Sequence, residues 1–246
     1  MSAIAITDHD TVAGVEPGLL AAQGTTLEVI PGIEISSLVA CREIHLLGYF
    51  VDTQSPQLCA VLARLAEARL HRAKKMVSLL ADLGINVSWD MVSALAKGGI
   101  VGRPHIAQAL VDQGLAASVS AAFDRFLNRD GPAYVERFRL SPSEGLDLIR
   151  AAGGLSVLAH PIGVTDFLPS LVDRGLAGLE VFYRGYSPGE MSELLSLTRL
   201  LHLVPTGGTD FHGRDEVNST SLGSVYVPPD TVHKLRLRAG RPVKPA

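Results

Sequence analysis

The sequence has few cysteines and no long hydrophobic run. Its two cysteines, Cys41 and Cys59, lack the C-x-x-C spacing of a zinc or redox motif. No apolar segment approaches the roughly 18 residues that a membrane-spanning helix requires. These absences argue against a disulfide framework and a membrane-embedded protein, so we expect free thiols and a cytoplasmic location.

An excess of either charge is also missing. The chain carries 22 Lys and Arg residues against 25 Asp and Glu residues, a formal net charge of -3 at pH 7. Nonspecific adhesion to nucleic acid or to anionic membranes depends on a basic surplus. We therefore expect neither a membrane partner nor double-stranded DNA, whereas a substrate of nucleotide size is compatible with this charge.

The sequence contains no glycine-rich phosphate loop and no internal repeat, but short β-like runs recur along it. Three of them come early, namely "AIAIT", "LEVIPGIEISSLV", which we divide into two pieces at Pro31 and Gly32, and "REIHLLGYFV". Four more follow after residue 152, namely "GLSVLAHP", "GLEVFYRG", "HLVPTGGTDFHG" and "SLGSVYV". Strands that alternate with helices predict parallel βα units and hence an α/β barrel or an open sheet.

Helical periodicity dominates the middle of the chain. From Pro56 onward, leucines recur at helical spacing with Arg and Lys on the other face. We predict a barrel domain over residues 1–54 and 153–246 and a helical insertion subdomain over residues 55–152. The basic stretch at the end, "HKLRLRAGRPVKPA", is predicted to be a solvated tail.

Acidic and imidazole side chains lie at the ends of several predicted strands. The histidines concerned are His9, His45, His160 and His212, in "ITDHD", "EIHLLG", "LAHP" and "GTDFHG", and the carboxylates are Glu34 and Asp210. Because the carboxyl ends of parallel strands face a common side, these groups are expected to converge. Imidazole together with carboxylate suits zinc, manganese or iron, and such a centre can activate water and clamp a phosphoryl group.

Each of these residues also has an ordinary structural explanation. A single histidine or glutamate within a strand is more often a hydrogen-bonded core residue than a ligand, and this holds for His45 or Glu34 taken alone. Six such residues together favour a metal site. Arg103 and His105 in "GRPHIA" mark a helix start, which attracts anions, although an ordinary capped helix explains them equally well.

At these residues the chain resembles the PHP family, named for polymerase and histidinol phosphatase. The segments "AITDHDTVAG", "PGIEIS", "IHLLGYF", "LAHP" and "GTDFHG" occur in the family's order. "GRPHIA" and the helical insertion resemble the branch of nucleoside 3',5'-bisphosphate phosphatases and 5'-3' exoribonucleases. The resemblance implies a distorted, TIM-like (β/α)7 barrel with a centre of up to three divalent metal ions.

The resemblance also implies roles for individual residues. Glu34 would bridge two metals, His45 and His160 would complete one of them, Asp210 would bind another, and His9 with His212 would help to hold the third. Arg103 and His105 would grip a second phosphate of the substrate, while Tyr183 and Arg184 would line the pocket.

One family feature has no counterpart in the sequence. No segment matches the family's first strand with its His-x-His pair, so we expect the barrel to lack that strand and the site to hold fewer metals. The leading hypothesis is a metal-dependent phosphoesterase for nucleoside 3',5'-bisphosphates and short oligoribonucleotides. The alternatives are a phosphomonoesterase of the histidinol-phosphate type and a catalytically impaired binding or structural module with the same fold.

Overall fold

The computed structural model of the chain describes residues 1–96, 99, 101–211 and 221–242. It divides into two units. The first, here called the sheet unit, comprises Met1–Cys59 and Leu140–Ala246, and the second, the helical unit, comprises Ala60–Arg139.

A six-stranded sheet curled into a half-barrel forms the centre of the sheet unit. Its strands follow one another in chain order: β1 (Ala3–Ile6), β2 (Glu28–Val39), β3 (Arg42–Tyr49), β4 (Leu155–Leu158), β5 (Gly178–Tyr183) and β6 (Val204–Gly208). The pairs β1–β2, β4–β5 and β5–β6 are parallel, whereas β3 is antiparallel to both β2 and β4. The mixed α/β class predicted from the sequence is confirmed, and the parallel arrangement holds everywhere except at β3.

Strand β2 is continuous through Pro31 and Gly32, so the predicted division into two pieces is wrong. Its first residues pair with β1 and its remaining residues pair with β3. A Cβ atom at Gly32 would lie 2.9 Å from the carbonyl oxygen of Ile6 and 3.0 Å from that of Gly48. Glycine therefore lets one strand pass between two neighbours at the position where a sequence pattern suggests a break.

Nine α-helices accompany the strands in the described part of the chain. They are α1 (Val15–Ala21), α2 (Pro56–Asp82), α3 (Trp89–Leu95), α4 (Arg103–Asp112), α5 (Val119–Ala122), α6 (Pro142–Ala151), α7 (Leu168–Asp173), α8 (Pro188–Leu200) and α9 (Thr231–Arg238). A π-helical turn over Phe123–Leu127 follows α5, and a short 3-10 turn precedes α7. Among the described residues, no helix is both long and apolar enough to cross a membrane.

Helix α6 shows how local sequence and packing agree in the sheet unit. It begins with a reciprocal cap, in which the Ser141 hydroxyl accepts a hydrogen bond from the Glu144 amide and the Glu144 carboxylate accepts one from the Ser141 amide. Gly145 then lets the helix approach the sheet, since a Cβ there would lie 2.9 Å from a methyl group of Leu46. Leu46 and Ile35 are fully buried under this helix.

The helical unit has a hydrophobic core of its own. Its fully buried side chains include Met76, Leu80, Ile106, Leu110 and Leu127, contributed by α2, α4 and the π-helical turn. The part of the amphipathic pattern from Ala73 to Leu80 therefore packs into this core, as its helical spacing indicates.

Two expectations for the end of the chain are wrong. The segment "SLGSVYV" forms turns and irregular backbone instead of a strand, and Tyr226 within it is 75% exposed, so it gains no burial that would favour a strand. The described part of the basic stretch after it, residues 233–242, is not a solvated tail. Helix α9 buries Leu235, its Arg236 forms an ion pair with Glu28 on β2, and Arg241 donates a hydrogen bond to the carbonyl of Phe50.

Candidate metal centre

The backbone beyond β1 brings His9 beside Glu34 on β2. Residues 8–10 continue along β2, where the Glu34 amide donates to the Asp8 carbonyl (3.1 Å) and the Asp10 amide donates to the Glu34 carbonyl (2.8 Å). The buried Asp10 carboxylate accepts a further hydrogen bond from the Ser36 amide at 2.8 Å. These bonds place His9 directly beside Glu34 in the sheet.

Three imidazoles surround the Glu34 carboxylate. His45 Nδ1 lies 2.8 Å from Glu34 Oε1, and His160 Nε2 lies 3.5 Å from the same oxygen. His9 Nδ1 lies 3.5 Å from the other oxygen, Oε2. Glu34 is buried, whereas the side chain of His9 is 35% exposed and that of His160 is 33% exposed, so the cluster is accessible from one side.

The donor atoms in this cluster fit a cation. His9, Glu34 and His45 each offer a ligand atom within 4.8 Å of the others, the arrangement expected of a metal site. His45 Nδ1 and His160 Nε2 approach each other to 3.0 Å, so two nitrogen atoms converge next to one carboxylate oxygen. Nitrogen and carboxylate oxygen are the ligands that zinc, manganese and iron accept.

The charges in the cluster reinforce one another. Burial alone would raise the pKa of Glu34, but the close approach of the His160 and His45 imidazoles and the charge of His9 lower it to about 2. Burial would conversely lower the pKa of His160, whereas its contact with Glu34 raises it. Glu34 is therefore a permanent anion at neutral pH and attracts positive charge to this place.

Asp210 lies at the end of β6 and contacts different partners. The Tyr183 hydroxyl donates a hydrogen bond to Asp210 Oδ2 at 2.7 Å, and the Arg184 guanidinium lies 3.8 Å from the same oxygen. The Tyr183 ring is 5.9 Å from the His160 ring between centroids, which links Asp210 to the imidazole cluster. His212, the remaining predicted ligand, lies outside the described residues.

A β-bulge in β5 brings Glu180 and Tyr183 to the same side. Glu180 pairs with Thr206 and Phe182 pairs with Gly207, so Val181 is an extra residue in the ladder. Side chains three positions apart on a regular strand face opposite ways, and one inserted residue reverses this relation. Both side chains accordingly reach the site, Glu180 at the His160 amide and Tyr183 at Asp210.

Glycine at position 207 is required by this bulge. A Cβ there would lie 2.3 Å from the Phe182 carbonyl oxygen, a backbone atom that cannot rotate away. We expect Gly207→Ala to destabilise the fold by about 1–3 kcal/mol, measured by denaturant unfolding. Gly189→Ala in α8 is the matched control, since its nearest neighbour would be 3.9 Å away; equal stability of the two variants would contradict the role of the bulge.

Glu180 is a site residue that the sequence analysis missed. It is 5% exposed, and its Oε2 accepts a hydrogen bond from the His160 amide at 2.8 Å. Burial raises the pKa of Glu180 to about 7, an effect that the bond from His160 partly offsets. A glutamate inside the apolar run "GLEVFY" is the same signal that identified Glu34, so the residue could have been found from the pattern.

Arg103 and His105 belong to the helical unit, at the start of α4. His105 Nδ1 accepts a hydrogen bond from the Gly102 amide (3.0 Å), which makes this imidazole part of the helix cap. The Arg103 guanidinium donates to the Leu127 carbonyl (3.3 Å) and lies 6.0 Å from the centre of the Tyr134 ring. Arg72 lies 5.5 Å from the same ring, so two guanidinium groups share one aromatic side chain.

Comparison with known proteins gives relatives of consistent chemistry, although no family model matches the chain. The chain is 35% identical over 219 residues to a protein named 5'-3' exoribonuclease Rnm from Escherichia coli. This alignment covers 85% of this chain and 74% of that protein. It is 29% identical to a 3',5'-nucleoside bisphosphate phosphatase from Chromobacterium violaceum, over 92% of this chain and 84% of that one. A solved structure from Bifidobacterium adolescentis, described as a metal-dependent phosphoesterase, superposes with a TM-score of 0.81 at 31% identity and covers 97% of this chain and 86% of that one.

Proposed function

The chain belongs to the PHP family of metal-dependent phosphoesterases, and from this premise we propose that it hydrolyses phosphate esters of small nucleotides, with nucleoside 3',5'-bisphosphates as substrates. The observation that carries the proposal is the buried Glu34 carboxylate with three imidazoles directed at its two oxygens. The curated relatives of this chain are phosphoric ester hydrolases, and the 3',5'-nucleoside bisphosphate phosphatase among them supports this substrate class.

The proposed ligand set consists of His9, Glu34, His45 and His160, with Asp210 and His212 completing the centre. Divalent manganese, zinc or iron held there would neutralise phosphoryl charge and make water a stronger nucleophile. The chain's own contribution is orientation. Glu34 is held ionised and holds His45 and His160 beside one oxygen, while the Tyr183 hydroxyl and Arg184 hold Asp210.

Arg103 is proposed to bind the second phosphate of the substrate. Arginine presents several N–H donors in a planar fork that matches phosphate, and the amino end of α4 adds a favourable dipole. Arg72 adds a second guanidinium 5.5 Å from the Tyr134 ring, and burial together with repulsion from Arg103 lowers the Arg72 pKa. His105 accepts a hydrogen bond from the Gly102 amide and so supports the start of α4 beside Arg103. Tyr183 and Arg184 are proposed to line the substrate pocket.

The substrate class is tested by steady-state hydrolysis with the full chain supplied with Mn²⁺. We expect kcat/KM for a nucleoside 3',5'-bisphosphate to exceed that for the corresponding 5'-monophosphate at least about tenfold, since a site built for two phosphates discriminates against one. Histidinol phosphate is the reference for the alternative phosphomonoesterase. Preference for histidinol phosphate would contradict the nucleotide assignment, and no hydrolysis with any substrate would favour the impaired binding module.

A second proposed substrate is short RNA, degraded from its 5' end. The observation in its favour is the relative named 5'-3' exoribonuclease, which is 35% identical to this chain. A 5'-labelled oligoribonucleotide incubated with the full chain and Mn²⁺ is expected to lose its labelled first nucleotide before any other, and degradation that begins at the 3' end would contradict this substrate.

The wider architecture is proposed on the same basis. We place the described sheet in a distorted (β/α)7 barrel, predicted over residues 1–54 and 153–246. Residues 55–152 are its predicted helical insertion, in which Ala60–Arg139 form the helical unit and α6 packs in the sheet unit. A cytoplasmic location fits nucleotide and RNA substrates.

A further inference from the structure

We infer that Glu180 is a positioning residue that fixes the backbone of His160, so that the His160 imidazole reaches Glu34. The inference rests on the proposed function, because it concerns one of the proposed metal ligands. Glu180 itself contacts the His160 amide, so its action on the site passes through the histidine.

The first support is the backbone conformation of His160. Its φ angle is +28°, in the left-handed region that residues with a Cβ seldom adopt, and a conformation of this kind persists only where the surroundings enforce it. Strand β4 ends two residues earlier, at Leu158, so no regular pairing dictates this geometry. The 2.8 Å hydrogen bond from the His160 amide to Glu180 Oε2 supplies the missing constraint.

The second support is the position of Glu180 in the sheet. Leu158 pairs with Leu179 on β5, and the Ala159 amide then turns to the His45 carbonyl on the opposite neighbour, β3. The His160 amide is thus the next donor along the chain, and the Glu180 side chain accepts from it. A side-chain carboxylate therefore continues the role of a strand carbonyl beyond the end of the ladder.

The third support is the cost of burying this group. Glu180 is 5% exposed between Leu179 and Val181, which are both fully buried. A carboxylate in such surroundings is unfavourable unless it is hydrogen-bonded, and a core position without a task would accept an apolar residue. The β-bulge at the next residue turns Glu180 and Tyr183 to the same side, where they contact two different proposed ligands, His160 and Asp210.

The test measures Mn²⁺ binding to metal-free full chain by isothermal titration calorimetry. Glu180→Met keeps the volume and removes the acceptor, so we expect the Kd for Mn²⁺ to rise about 10- to 100-fold, as for other groups that orient a metal ligand. Glu180→Asp is too short to reach the His160 amide and is expected to show the same loss. Glu180→Gln keeps an acceptor oxygen and is expected to stay within about threefold of wild type.

Leu194→Ala is the control, because it removes a buried side chain from α8 and leaves the Glu180 hydrogen bond in place. It is expected to lower the unfolding midpoint without changing the Kd for Mn²⁺. Wild-type affinity in both Glu180→Met and Glu180→Asp would overturn the inference, as would losses in Glu180→Gln and Leu194→Ala as large as the loss in Glu180→Met. Failure of the wild type to bind Mn²⁺ would instead overturn the proposed function, and the inference with it.

Discussion

Replacing Glu34 with glutamine is expected to reduce kcat/KM for phosphoester hydrolysis on the order of 1,000-fold or more, while the fold is retained. Glu34 is the carboxylate that all three imidazoles share, with His45 at 2.8 Å and His9 and His160 at 3.5 Å. Glutamine has nearly the same volume but no charge, and its NH₂ group donates where the carboxylate accepts. The variant therefore loses both the anion that attracts a metal and the alignment of the imidazole nitrogens.

Three measurements separate this effect from unfolding. Metal content of the purified protein is expected to fall together with activity, while circular dichroism and the unfolding midpoint change little. Glu193→Gln, an exposed change of the same kind on α8, is the control and is expected to behave as wild type. Activity of Glu34→Gln above about a tenth of the wild-type value would exclude Glu34 as a metal ligand.

Replacing Arg103 with alanine is expected to lower kcat/KM for a nucleoside 3',5'-bisphosphate about 100-fold and to change that for a 5'-monophosphate less than about threefold. The proposed role of Arg103 implies this difference, because the variant would lose a charge-assisted contact to the second phosphate that a monophosphate does not make. Arg103→Lys keeps the charge without the planar fork and should fall between the two.

Arg125→Ala is the control for this experiment. Arg125 is an exposed arginine of the same helical unit and lies 4.8 Å from the centre of the Phe126 ring, so its removal also takes away a guanidinium stacked on an aromatic ring. It should leave both substrates unaffected. A similar loss for both substrates in Arg103→Ala would mean that the residue supports the fold of the helical unit and does not select the second phosphate.

The sequence predicted which residues form the site better than it predicted how the fold positions them. His9, Glu34, His45 and His160 were selected because charged or imidazole side chains interrupt apolar runs, and the structure brings these four together. This succeeded because burial of a polar group is costly, so its presence in a strand indicates a task. The same pattern is present at Glu180, which interrupts the apolar run "GLEVFY".

Local patterns failed where a partner distant in sequence decides the structure. Pro31 and Gly32 suggest a break, yet β2 continues because it exchanges β1 for β3 at that point. The run "SLGSVYV" has the composition of a strand but remains irregular, and Arg236 in the basic final segment pairs with Glu28. None of these outcomes follows from neighbouring residues, because each depends on which surface is adjacent in the fold.

The sequence by itself thus determined the alternation of strands and helices and the type of side chain at each strand end, since periodicity and residue chemistry are local properties. Only the tertiary structure decided that one glutamate is shared by three imidazoles and that Glu180 holds the backbone of His160. These contacts depend on strand order, on the bulge at Val181 and on the unusual backbone of His160. Such features arise from long-range packing, which a one-dimensional pattern does not record.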